Sequence, residues 1–135
     1  MLYLRILKIG GQMVTILIKA IQILVGVGLL NVWLLRANLS TAYRGGAATN
    51  LREEFATYGL PPFVFYLVGF LKVTSALLLL AGLWFPGLVF PAAAVIVVLM
   101  AGAVSMHIKI RDPLQKALPA AAMLTMSLLI CTSAM

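Results

Sequence analysis

The chain has 135 residues, 64% of them hydrophobic and 10% charged, and a mean hydropathy of +1.13. Soluble domains hold roughly 45–50% apolar residues, so the composition excludes that class and points to one membrane domain, residues 1–135. Ten Lys and Arg against three acids give a net charge of +7, but most of these cations stand at the ends of apolar stretches, where they serve topology and anionic headgroups rather than nucleic acid.

The first apolar run, residues 13–35, is long enough to cross a hydrocarbon core of ~30 Å. Arg5 and Lys8 precede it as in a signal peptide, but the run exceeds the usual h-region of about 7–15 residues and no A-x-A site closes it, so an uncleaved span is expected. The polar connection from Arg36 to Leu60 contains Asn50-Leu-Arg-Glu53, a cap with an acid three residues on. Leu51, Phe55 and Tyr58 recur on one face behind it, which predicts a short interfacial helix lying against the bilayer or the bundle. A second span follows at about 61–85, opened by Pro61 and Pro62. The uncharged turn Phe85-Pro86-Gly87 joins it to a third span at about 88–108, as an antiparallel hairpin. The fourth covers about 114–133, with Pro119 placed to kink its first turns. The fold class is therefore all-α, an integral membrane four-helix bundle with a short interfacial helix in the first loop. Arg36, Arg44, Arg52, Lys109, Arg111 and Lys116 fall on one side, against Arg5 and Lys8 on the other; this asymmetry predicts a cytoplasmic long loop and both termini outside.

The acids Glu53, Glu54 and Asp112 all lie in polar connections, whereas Lys72 lies near the middle of the second span. A lysine at that depth costs roughly 2.5–3.5 kcal/mol on insertion scales and usually marks a cavity, a ligand or a partner. It is the leading candidate for ligand or partner contact, whether neutral, in a wet cavity, against a quinone-like or anionic ligand, or paired with an acid from another chain. If the first loop folds inward, Glu53 or Glu54 supplies an internal partner. On the first helix, Thr15, Lys19, Gln22 and Gly26 share a face, so Lys19 and Gln22 are further candidates. Lys19 could equally snorkel as an interfacial anchor. Gly69 shares the face of Lys72. On the third helix, Ala101, Gly102, Ala103 and Ser105 are small enough for close helix packing, and Ser105 and His107 close that helix as polar candidates. His107 is a hydrogen-bonding cap at the membrane edge or a proton relay. Asp112-Pro113 reads as the cap of the next helix. A single Cys131 and a single His107 leave no intrachain disulfide, bis-His haem or four-ligand zinc set. No catalytic motif and no metal site is read from the chain.

Tyr58-Gly-Leu-Pro-Pro62, Val68-Gly-Phe-Leu-Lys72 running into Ala76-Leu-Leu-Leu-Leu80, Gly102-Ala-Val-Ser-Met-His107, Asp112-Pro113 and Leu118-Pro-Ala120 follow one another in fixed order. This order resembles the DoxX-like family of small four-helix membrane proteins, over about residues 58–130. Similar proteins carry Gly-x-x-Lys on the second helix and a Ser-His-like ending on the third, often with an acid after it. Here Ser75 replaces a common glycine, Met106 separates Ser105 from His107, and Phe90 is the only aromatic at the start of the third helix. The resemblance implies a bacterial inner (cytoplasmic) membrane and a role beside membrane redox enzymes or as an assembly chaperone. The first expectation is a non-catalytic accessory or assembly subunit, not an enzyme on its own, touching membrane lipid and another membrane protein or its own copies through Lys72. The alternative is a redox-associated, quinone-interacting subunit, and a third is a small-solute carrier. This chain alone is expected to hold no cofactor, quinone excepted.

Overall fold

The computed structural model describes residues 1–135 and is all-helical. Helix α1 runs Leu2–Leu30 and ends in a π-helical turn, Asn31–Leu35; α2 is Leu51–Thr57, α3 Pro62–Ala81, α4 Val89–Lys109 and α5 Leu114–Ser133. A 3₁₀ turn, Pro86–Leu88, completes the α3–α4 hairpin. α1, α3, α4 and α5 are each long and apolar enough to cross a membrane. Each of these four packs on two neighbours, in the cyclic order α1, α3, α4, α5, and α2 rests on α3.

The contact surface is a narrow stripe on each helix. Val25 and Leu29 of α1, Ala76 and Leu79 of α3, Ala92, Ala93, Ile96 and Met100 of α4, and Ile130 of α5 form one core. Large side chains such as Phe63, Phe70, Leu77 and Val98 point outward instead, as lipid contact demands. Hydroxyls within the apolar helices bond the carbonyl one turn back: Ser75 to Leu71, Ser127 to Met123 and Ser105 to Ala101. Each polar group is thereby satisfied without leaving its helix.

Two boundaries differ from expectation. α1 begins at Leu2 rather than near Met13, because nothing before Met13 breaks the helix except Gly10-Gly11, which lower helix propensity without ending it. α3 ends at Ala81, short of Phe85, and its carbonyls are closed by the N–H groups of Gly82, Leu83 and Trp84.

α2 starts as its sequence predicts. The Asn50 side chain accepts the Glu53 N–H at 2.8 Å, while Glu53 Oε2 accepts the Thr49 N–H and hydroxyl at 2.8 and 2.7 Å. The Thr49 contacts hold the Glu53 carboxyl below its usual range. Leu51 and Tyr58 bury against the bundle, and so does Glu54. The helix therefore caps one end of the bundle with a carboxylate turned inward.

Candidate functional site

Where α2 closes over the bundle it leaves a cavity of about 460 Å³, lined by 24 residues of which 15 are hydrophobic. The end of α1 gives Leu29, Val32 and Trp33; the first loop gives Arg36 and Arg44; α2 gives Leu51, Glu54 and Phe55, with Tyr58 just after it. α3 contributes Val68 and Lys72, α4 contributes Met100, Ala103 and His107, and α5 contributes Pro119 and Met123. Pro119 thus faces the cavity within a continuous α5.

Lys72 is 8% exposed. Beyond the helix backbone, its only hydrogen bond is the Ser75 hydroxyl to its carbonyl, so its ammonium donates to no protein atom. The Nζ instead lies 5.5 Å from the centroid of the Trp33 ring, a cation–π contact worth up to about 2 kcal/mol when desolvated. Trp33 can take that place because residue 69 is glycine: a Cβ there would sit 2.7 Å from the indole. Phe55 and Phe65 hold the other edges of the ring, at 5.8 and 5.4 Å between centroids.

Glu54 supplies the acid absent from the membrane helices. Its burial shows the first loop folded inward, and it shares the cavity wall with Lys72, but the two side chains form no ion pair. Both carboxylate oxygens are engaged: Oε2 accepts Arg44 Nη1 at 3.3 Å and Oε1 accepts the Tyr58 hydroxyl at 2.5 Å. Arg44 also donates to the carbonyls of Arg36 and Leu39, which stitches the first loop shut. A buried ion pair survives only with such full bonding.

From Tyr58 the network runs outward. The Tyr58 hydroxyl is 3.3 Å from His107 Nε2, and His107 Nδ1 is 2.7 Å from Asp112 Oδ2. Asp112 Oδ1 accepts the Gly46 N–H at 3.0 Å. An ionised Asp112 fixes the proton of neutral His107 on Nδ1, leaving Nε2 to compete with Glu54 for the single Tyr58 proton. A protonated His107 would donate from Nε2 towards Tyr58 and Glu54 instead. Glu54, Tyr58, His107 and Asp112 therefore form a chain along which a proton can be passed. Lys109 donates to the Tyr58 carbonyl at 2.8 Å and Lys116 to that of Gly46, so these cations also clasp the two loops together.

Lys72 and His107 thus line the same cavity. Gln22 does not join them: its amide donates to the Leu79 carbonyl at 2.6 Å, across the α1–α3 contact. Lys19 and Ser105 are exposed outside the cavity. Among the small residues, Gly69 accepts Trp33 and Ala103 packs against the core, while Ala101 is exposed and a Cβ on Gly102 would touch nothing. Asp112 is no helix cap, since α5 starts after Pro113 with no side-chain cap. Arg44, Tyr58 and Trp33 are the partners that sequence reading missed; the i, i+4 spacing of Glu54 and Tyr58 was the one available signal.

The family model described as the DoxX-like family matches residues 25–130. The chain belongs to the DoxX-like family. The matched region contains every cavity-lining residue, from Leu29 to Met123, and leaves out the first part of α1. No curated protein matches the chain, and no solved structure does.

Proposed function

We propose that this DoxX-like protein binds a small amphipathic ligand of quinone type in the cavity, as a redox-associated membrane subunit. The observation that carries this reading is the Lys72 amine, which opens onto the apolar-walled cavity and has no protein acceptor. Such a donor calls for an acceptor on a ligand. The volume is in the range of small-molecule sites, and apolar walls with a few convergent polar groups are their usual lining. Lys72 would hold one carbonyl oxygen, Trp33 would lie against the ring, and Tyr58 with His107 would exchange protons with it. A bound quinone would take up two electrons, from a redox partner outside this chain, and two protons; the chain's own residues would position the carbonyl and conduct protons between the cavity and Asp112.

A second reading is the accessory or assembly subunit. Lys72, which pairs with no acid of this chain, is open to an acid from a partner as well. What also supports a protein partner is the outer face of α4, where Ala101 and Ser105 are exposed.

Trp33 provides the assay. In a Trp84→Phe background, a short-chain quinone should quench Trp33 fluorescence saturably. Lys72→Met should weaken binding about 10- to 100-fold, the value of a charge-assisted hydrogen bond. Absence of quenching, or unchanged affinity in both Lys72→Met and Tyr58→Phe, would defeat the quinone reading.

A further inference from the structure

The first part of α1 is independent of the cavity. Every residue from Met1 to Leu17 is exposed, and the first buried residue of α1 is Gln22, bonded to Leu79 near the end of α3. The exposed Trp84 and Phe85 at the α3–α4 turn mark the same level, as interfacial aromatics do. Residues 2–17 therefore run about 24 Å past the end of the bundle, at 1.5 Å per residue. Counting its π-turn, the first helix spans 34 residues, about 50 Å against a hydrocarbon core of ~30 Å.

The projecting part cannot stand upright in water, because Leu2, Leu4, Ile6, Leu7, Ile9, Met13, Val14, Ile16 and Leu17 are all at least half exposed. Nor is it uniformly apolar. Arg5, Lys8, Gln12, Thr15 and Lys19 recur at intervals of three, four, three and four, which places all five on one face about 80° wide. The polar face carries cations and no acid. An apolar face has no hydrophobic drive towards a protein partner in lipid, whereas a one-sided row of cations gains from anionic headgroups.

We propose that residues 2–17 turn away from the bundle axis and lie along the membrane surface, with Arg5, Lys8 and Lys19 on anionic phospholipid headgroups. Their apolar face then sinks into the acyl boundary, as in other interfacial amphipathic helices. Gly10 and Gly11, with nothing within 4 Å of a Cβ at either, are the weakest helix formers of the segment and give it freedom to follow the surface. Lys19 thereby takes the anchoring role, at the edge of the bundle.

Full-length protein in a Cys131→Ser background, carrying single nitroxide labels and held in phosphatidylcholine–phosphatidylglycerol nanodiscs, tests this. Labels at Lys8, Gln12 and Thr15 should report headgroup depth, and labels at Ile6, Val14 and Leu17 acyl-boundary depth. A depth that changes steadily along the chain regardless of face, or label–label coupling between two copies, would overturn the proposal. Arg5→Gln with Lys8→Gln should lower the preference for spin-labelled phosphatidylglycerol over phosphatidylcholine, about fivefold for each cation removed. An unchanged preference would overturn the headgroup assignment even if the depth pattern held.

Discussion

Asp112 joins two segments that the chain separates widely, His107 at the end of α4 and Gly46 in the first loop. Burial works to raise its carboxyl, but the His107 and Gly46 hydrogen bonds and the nearby cations outweigh that and hold it below its usual range. A depressed acid contributes stability that is present above its unfolded value, about 3.9, and is lost as pH falls through the folded value. Thermal unfolding in detergent should therefore show wild type losing stability more steeply than Asp112→Asn below about pH 4. At pH 7 the variant should be less stable by about 1–3 kcal/mol, and parallel pH profiles would contradict the assignment. Tyr58 is shifted the other way: burial, then its bond to Glu54, push the phenol well above the ordinary value. Tyrosinate absorbance of wild type and Tyr58→Phe should coincide through about pH 11, beyond the ordinary tyrosine value.

Among the elements, the end of α4 explains how Asp112 reaches His107. Arg111 adopts a left-handed backbone with φ 56°, the Asp112 N–H returns to the His107 carbonyl, and the Arg111 N–H to that of Ile108. This is a Schellman ending, and its left-handed position normally takes glycine. Arg111→Gly should raise unfolding stability by about 0.5–1 kcal/mol, by relieving the cost of that conformation; a loss of stability would mean the arginine side chain matters more than its backbone. Residues 107–113 show where sequence reading stops. Asp-Pro before an apolar run carries the same local pattern whether the acid caps the next helix or folds back on the last, and a non-glycine left-handed residue leaves no mark in composition. The four spans and α2 were legible because apolar length and the Asn50 cap act locally. Glu54 was legible only as one of several options, since its inward turn depends on Arg44 and Tyr58 meeting it in three dimensions. Gln22 does face the bundle interior, but its partner there, the Leu79 carbonyl, was not legible: a helical face can be read from spacing, its neighbour cannot.

At the scale of the molecule, an even number of spans puts both termini at one end and the cavity, with α2 and the Lys109–Lys116 connection, at the other. The Lys and Arg asymmetry then predicts that the cavity end faces the cytoplasm. With Cys131→Ser as background, Ala47→Cys should react only after a membrane-permeant reagent enters, and Ser133→Cys should react with an impermeant one; the reverse would invert the topology. The fold is also sensitive to chain length at one place. The π-turn Asn31–Leu35 accommodates one residue more than an α-helical turn would. Deleting a residue there would restore ordinary winding with the flanking register kept, and would redistribute the side chains of the turn, Trp33 among them, so that the indole no longer sits in the notch at Gly69. Relatives shorter by one residue at this turn would keep the bundle yet lose the aromatic wall, so an insertion or deletion, rather than any substitution, could divide the family into two kinds of cavity.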